Sequence, residues 1–140
     1  MKISREIHIK APVEKVYTTY ADILKWKSVM DDVLDINIFY NDSRHQEFDM
    51  TVKRGERTET VHSIRFCYPH SSIEIFQTKP PPLFKSMTGV WKFEKVNDGT
   101  LVSATRIFAI KDGMDFDPEI LGVFLQKNIE SFKNWIETNA

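Results

Sequence analysis

Residues 3–26 read ISREIHIKAPVEKVYTTYADILKW, and a change of period inside this stretch sets the fold class. Ile7 and Ile9 alternate with polar neighbours, which predicts a strand over Ile3–Lys10. Ala11-Pro12 then opens a helix, with proline expected at the first helical position, where its missing N–H costs nothing. Val13, Val16, Tyr17 and Tyr20 follow at i, i+3, i+4 and i+7, the spacing of one buried helical face. Asp22 is the expected N-cap of a second short helix carrying Ile23, Trp26, Val29 and Met30.

From residue 32 the period becomes two. Leu34, Ile36, Ile38 and Tyr40 alternate with Asp35 and Asn37, and Phe48, Met50 and Val52 alternate with Glu47, Asp49 and Thr51. Further strands are expected over Thr58–Tyr68, Ser72–Thr78, Phe84–Glu94 and Leu101–Ile110. Turn residues separate them at Asn41-Asp42-Ser43, Lys53-Arg54-Gly55-Glu56, Pro69-His70-Ser71 and Asn97-Asp98-Gly99. Pro80-Pro81-Pro82 withholds three backbone donors and forces an extended path, so it reads as a loop between strands. Connections this short imply an antiparallel meander. Helical period returns after Asp117, a good N-cap followed by Pro118 and Glu119. Leu121, Phe124, Leu125, Phe132, Trp135 and Ile136 form the apolar stripe of this helix, and Asn128 falls within it. The class is therefore α+β. A curved seven-stranded antiparallel sheet wraps a long C-terminal helix from about Asp117 to Thr138, two short helices follow the first strand, and a space between sheet and helix suits a ligand.

A chain of 140 residues is the size of one domain, expected here over residues 1–140, and it is long enough to bury a core without staples. With 41% hydrophobic residues and a net charge of −1, it is neither disordered nor a dedicated nucleic-acid binder, which would show a basic excess. No apolar run is long enough to span a membrane, and MKISREIHIK carries charges where a secretory signal would be apolar. Cys67 is the one cysteine, so no internal disulfide or Cys-rich zinc site can form, and a buried structural thiol is expected. His8, His45, His62 and His70 show no metal-ligand spacing, so no metal or other cofactor is expected. These features predict a cytoplasmic protein, a monomer or weak homodimer.

The element order, with APVEKVY after the first strand, Asp22-Ile23-x-x-Trp26, HSIR at His62–Arg65, GVWKFE at Gly89–Glu94, Gly99-Thr100 and Phe116-Asp117 opening the last helix, resembles the helix-grip superfamily. That group includes START lipid-transfer domains, the birch-pollen allergen and polyketide cyclases. The chain is most similar to the single-domain polyketide aromatase/cyclases of the tetracenomycin type, nearly end to end. The resemblance implies regiospecific aldol cyclisation and dehydration of a poly-β-ketone carried by an acyl carrier protein. It departs from that type at Val33, where a pocket tyrosine is expected, and at Val61 and Ala104, where tryptophans are expected. The cavity should therefore be less aromatic and differently shaped.

Arg65 is the first candidate catalytic residue. Its strand offers two faces: Val61, Ser63, Arg65 and Cys67, or His62, Ile64, Phe66 and Tyr68. Pattern favours the second as the inner face because it is more apolar; the resemblance implies the first, with Arg65 and Ser63 inside. A guanidinium suits an aldol step, in which negative charge develops on the enolate oxygen and then on the alkoxide. Arg106 is the second candidate, on the more apolar face of its strand with Val102, Ala104, Phe108 and Ile110. It either faces a polar cavity or lies flat with its head in water. Trp26, Phe48, Met50, Met87, Trp91 and Phe93 are candidate cavity walls or ordinary core. Asn128 either binds a ketone oxygen or makes a buried polar contact. A basic turn at Lys53, Arg54 and Arg57, opposite prolines flanked by Lys79 and Lys85, is the expected docking lip for an acidic carrier protein. A non-catalytic binder of a hydrophobic small molecule, such as a quinone or lipid, is the competing reading; a different aldol or dehydration enzyme on this scaffold is a third.

Overall fold

The computed structural model describes residues 1–139. The elements run β1 (Lys2–Ile9), α1 (Val13–Ala21), a 3₁₀ turn (Ile23–Lys25), α2 (Trp26–Val29), β2 (Val33–Asn41), β3 (His45–Arg54), β4 (Arg57–Tyr68), β5 (Ser72–Lys79), β6 (Phe84–Val96), β7 (Gly99–Ile110) and α3 (Pro118–Thr138). One seven-stranded sheet has the order β1-β7-β6-β5-β4-β3-β2, antiparallel throughout. Hairpins generate β2 to β7 in sequence order, and β1 closes on the far edge beside β7, with Lys2 opposite Ile107 and Ile9 opposite Thr100. This is the helix-grip architecture: a strongly bent sheet around α3.

Three local expectations are corrected. Pro12 is the N-cap of α1, not its first helical residue, because its ψ of 148° is extended; its carbonyl accepts from Lys15 and Val16. Asp22 does stand at the N-cap of the 3₁₀ turn, its carbonyl accepting from Lys25 N, but its side chain makes no capping bond, and its N–H closes α1 onto Thr18 O. In β2 the two-residue period is broken by register shifts between Val33 and Asp35 and between Ile38 and Tyr40, so Leu34 and Tyr40 face solvent while Val33 is buried. Such irregularities bend a strand. Asp117 does cap α3, accepting from Glu119 N at 3.0 Å.

α3 lies across the concave face and is tied to β1 by Arg5–Glu119 at 2.7 Å and by Lys133 Nζ donating to His8 O at 2.8 Å. From Leu125 onward it buries Leu125, Ile129, Phe132 and Ile136 in a large core with Ile9, Val16, Tyr20 and Val102. Tyr20 stacks on Phe132, with ring centroids 3.9 Å apart. Its N-terminal half covers a second, smaller core of Phe84, Met87 and Phe108, joined by Phe116 and Leu121. Between the two cores the sheet and helix stand apart, and a cavity remains.

Candidate functional site

The cavity holds about 590 Å³ and is walled by Trp26, Phe48, Met50, Met87 and Trp91, with Asn128 contributed by α3. Trp26, Phe48, Met50, Ser63, Arg65, Met87, Trp91, Arg106 and Asn128 all line it. Phe93 does not: its ring packs edge-on against Tyr17 and Tyr20, at 5.6 and 5.3 Å, and belongs to the core. Phe93 shares the inner face of β6 with Trp91 and Met87, but α1 covers that end of the strand. Val33 and Val61, at two of the positions where the chain departs from the tetracenomycin type, line the cavity, whereas Ala104 is buried in the core.

On β4 the inner face is Val61, Ser63, Arg65 and Cys67, the less apolar of the two. Arg65 has no accessible surface. Its Nε donates to Gln46 Oε1 at 2.8 Å, and its Nη2 donates to the carbonyls of Tyr20 and Ala21 at 2.9 and 3.0 Å. It thereby satisfies carbonyls left open at the end of α1. Trp26 Nε1 donates to the same Tyr20 carbonyl at 3.0 Å. The rings of Trp26, Phe48 and Trp91 surround the guanidinium at 5.5 to 5.9 Å, and Nη1 is buried with no hydrogen-bond partner. Arg65 thus serves as a structural tie as well as a charge behind the cavity wall.

Arg106 is placed differently. It is half-buried, and its guanidinium lies 4.5 Å from the Trp91 ring, making one hydrogen bond, to its neighbour's carbonyl at Thr105 O, 3.2 Å. Gly89 stands opposite it across the β6–β7 pair, and a Cβ there would collide with Arg106 Nη1 and come 2.9 Å from its Cδ. The missing side chain is what lets Arg106 fold over onto Trp91. Burial lowers both guanidiniums to about 10, and for Arg106 the charge of Arg65 adds to the lowering. Both remain cations at neutral pH. Tyr20, buried beside them, is pushed up by burial. Among the described residues no carboxylate pairs with either guanidinium: the acidic residues that line the cavity, Asp32 and Glu59, sit at the mouth, and Asp22 attracts Arg65 only from beyond ion-pair range.

At the mouth, Arg54 Nη1 meets Asp32 Oδ2 at 3.3 Å and its guanidinium lies 4.8 Å from the Phe124 ring. Lys127 Nζ reaches Asp31 at 3.3 Å and Asp32 at 3.7 Å, and Arg57 stands 3.9 Å from Glu59. Phe124 is 41% exposed here rather than packed in the core stripe. Of the expected docking lip, Lys53 and Lys79 are exposed and Lys85 pairs with Asp112 at 3.2 Å. Asn128 is buried and its Oδ1 accepts from Trp91 Nε1 at 3.4 Å.

Gln46, Tyr20 and Gly89 are site residues that sequence reasoning missed. Gly89 lay inside the GVWKFE motif and opposite Arg106, so pairing of the two strands could have found it. His62 lies on the outer face, clamped at 2.7 Å by both Glu47 and Asp49, which raise its pKa, Asp49 most. Cys67 is buried, and burial pushes its thiol up. Among the described residues no group of three or more His, Cys, Asp or Glu could hold a metal ion.

A bent antiparallel sheet gripping one helix over an apolar cavity defines the class. Residues 9–136 match the family model described as "Polyketide cyclase / dehydrase and lipid transport", and the chain belongs to that family. Among solved structures it is similar to the di-domain ARO/CYC StfQ of the steffimycin pathway, at TM-score 0.88 and 22% identity, covering 99% of this chain and 51% of that one. The Zhui aromatase/cyclase from Streptomyces sp. R1128 is similar at TM-score 0.83 and 18% identity, over 99% of this chain and 92% of that one. A START superfamily protein from Mycobacterium smegmatis is similar at TM-score 0.85 and 15% identity, over 99% of each chain. At these identities the likeness is one of fold. The chain spans about half the length of the two di-domain proteins it matches. No curated protein matches the sequence. No helix among the described residues is long and apolar enough to cross a membrane.

Proposed function

We propose that the protein is a polyketide aromatase/cyclase that closes and dehydrates a poly-β-ketone delivered by an acyl carrier protein. The observation that carries this reading is the pair of guanidiniums, Arg65 and Arg106, at a carboxylate-free end of an aromatic-walled cavity. A methylene between two ketones is a carbon acid, and its enolate attacks a second carbonyl along the chain. Charge on the enolate oxygen and then the alkoxide is stabilised most where water is excluded and donors are already in place. Arg106 is the guanidinium with surface on the cavity and touches the oxygen. Arg65 supplies a fixed charge one aromatic layer behind it. Trp26 and Trp91 hold the chain folded, and Asn128, anchored to Trp91 Nε1, positions an oxygen.

One observation favours the competing reading of a binder for a hydrophobic small molecule: Arg65 spends three hydrogen bonds on Gln46 and the end of α1. The deciding experiment reconstitutes a ketosynthase and carrier protein with this protein and reads the product profile. Cyclisation predicts a new aromatic product, lost by about 10² to 10³ in rate in Arg106→Gln, the usual effect of removing one oxyanion donor. An unchanged profile with and without the protein would establish the binder.

A further inference from the structure

A cation inside a protein is ordinarily paired or satisfied by hydrogen bonds, because an isolated buried charge costs several kcal/mol, roughly, even after relaxation. Every charged residue at the mouth follows this rule: Arg54 and Lys127 share Asp32, and Arg57 has Glu59. The inner end breaks it. Arg65 Nη1 has no partner, Arg106 has only a neighbouring carbonyl and the Trp91 face, and among the described residues no carboxylate forms an ion pair with either, Asp22 attracting Arg65 only from beyond ion-pair range. Both charges lie against the same indole, so they repel each other. Aromatic walls complete the chamber on Trp26, Phe48 and Trp91. What the inner end lacks is a single negative charge on a flat apolar body.

We propose that the inner end of the cavity is a binding site for an aromatic oxyanion, a phenolate or an aryl carboxylate, whose charge rests on Arg106 with Arg65 behind it. This deepens the cyclase reading, since ring closure and dehydration yield a phenol, whose oxygen the site takes and whose ionisation it favours. It rests on that reading for the identity of the natural ligand but not for the binding itself.

Arg106 contacts the ligand oxygen, and Gly89 positions Arg106. Binding relieves the repulsion between the two guanidiniums, so the unliganded protein carries a strain that a ligand removes. Two signatures follow that a merely structural arginine would not give. Replacing Arg106 with a neutral residue of similar reach stabilises the empty protein. The same replacement abolishes the preference for anions while leaving apolar affinity in place.

The test measures equilibrium binding of 2-naphthoate and its neutral counterpart 2-naphthamide by calorimetry, in wild type, Arg106→Gln and Arg106→Lys. Wild type should bind the carboxylate about ten- to a hundredfold more tightly, as charge-assisted hydrogen bonds imply. Arg106→Gln should bind the two equally and melt about 3 °C higher without ligand. Arg106→Lys should keep part of the preference. The absorbance of bound 2-naphthol should show ionisation about one pH unit below that of free naphthol, whereas an uncharged apolar cavity would move it upward. Equal affinities in wild type, or bound naphthol ionising at or above the pH at which free naphthol does, overturn the site even if the reconstituted enzyme cyclises. An anion preference in a protein that forms no aromatic product supports the site and overturns the cyclase reading. If Arg106→Gln does not fold, the wild-type preference and the naphthol titration still decide.

Discussion

The two ends of the cavity carry the same residue types and treat them oppositely. At the mouth, cations sit within 3.3 to 3.9 Å of carboxylates and are open to water. At the inner end, two guanidiniums sit among aromatic rings with none. Paired surface charges contribute about 0–1 kcal/mol, so the mouth is electrically quiet. Unbalanced charges among aromatic walls act strongly on whatever enters. Counting arginines would not separate these ends; their partners do. Within the inner end the two arginines differ again. Arg65 is woven into the end of α1, while Arg106 is held by little besides Trp91 and the gap above Gly89.

The largest expected effect breaks the inner end from behind. Arg65→Ala removes three hydrogen bonds, leaving Tyr20 O to Trp26 Nε1 and Ala21 O to Gln46 Nε2, and opens a void beside Trp26, costing about 2–4 kcal/mol. The urea midpoint should fall accordingly, opposite in sign to Arg106→Gln. Equal and small shifts in both variants would show that the two arginines play one role.

A smaller effect separates position from identity. Gly89→Ala keeps both charges but places a Cβ against Arg106 and 2.8 Å from the Thr105 carbonyl. Overpacking of this kind costs about 1–3 kcal/mol. Preference for 2-naphthoate over 2-naphthamide should fall several-fold, because the guanidinium leaves Trp91. An unchanged preference would show that Arg106 works without that placement.

The smallest effect belongs to the mouth. Asp32→Asn frees Arg54 and leaves Lys127 to Asp31, and stability should change by less than about 1 kcal/mol and naphthoate affinity by less than about threefold. A change as large as that of Arg106→Gln would mean that the mouth, not the inner end, sets the charge preference.

Much of the fold was legible in the sequence because period and capping are local. The change from 3.6 to 2 near residue 32 and back at Asp117 marked the meander and the gripping helix. The site was legible only in part, for reasons visible in particular residues. β4 reads inside out: Ile64 and Phe66 are outer residues, with Phe66 packed against Phe76, while Ser63 and Arg65 face inward. A strand that lines a cavity need not put its more apolar face inside, so the family resemblance placed Arg65 where pattern did not. Phe93 and Trp91 share one face of one strand, and only the arrival of Tyr17 and Tyr20 from α1 makes one core and the other wall. Gln46 binds Arg65 through a contact that no spacing rule encodes. Leu34 and Tyr40 were misplaced because register shifts in β2 are not written in its alternation.

The pairing of β1 with β7 has a consequence for how the molecule is made. β1 leaves the ribosome well before β7, the strand it pairs with, with Lys2 opposite Ile107. Closing so large a loop is entropically costly, and folds dominated by such distant pairings form slowly. Until β7 is synthesised, β1 and α1 have no finished sheet to lie against, and α3 follows later still. The nascent chain therefore carries an open β6 edge until β7 emerges and an uncovered concave face until α3 does, the period in which a chaperone would find it.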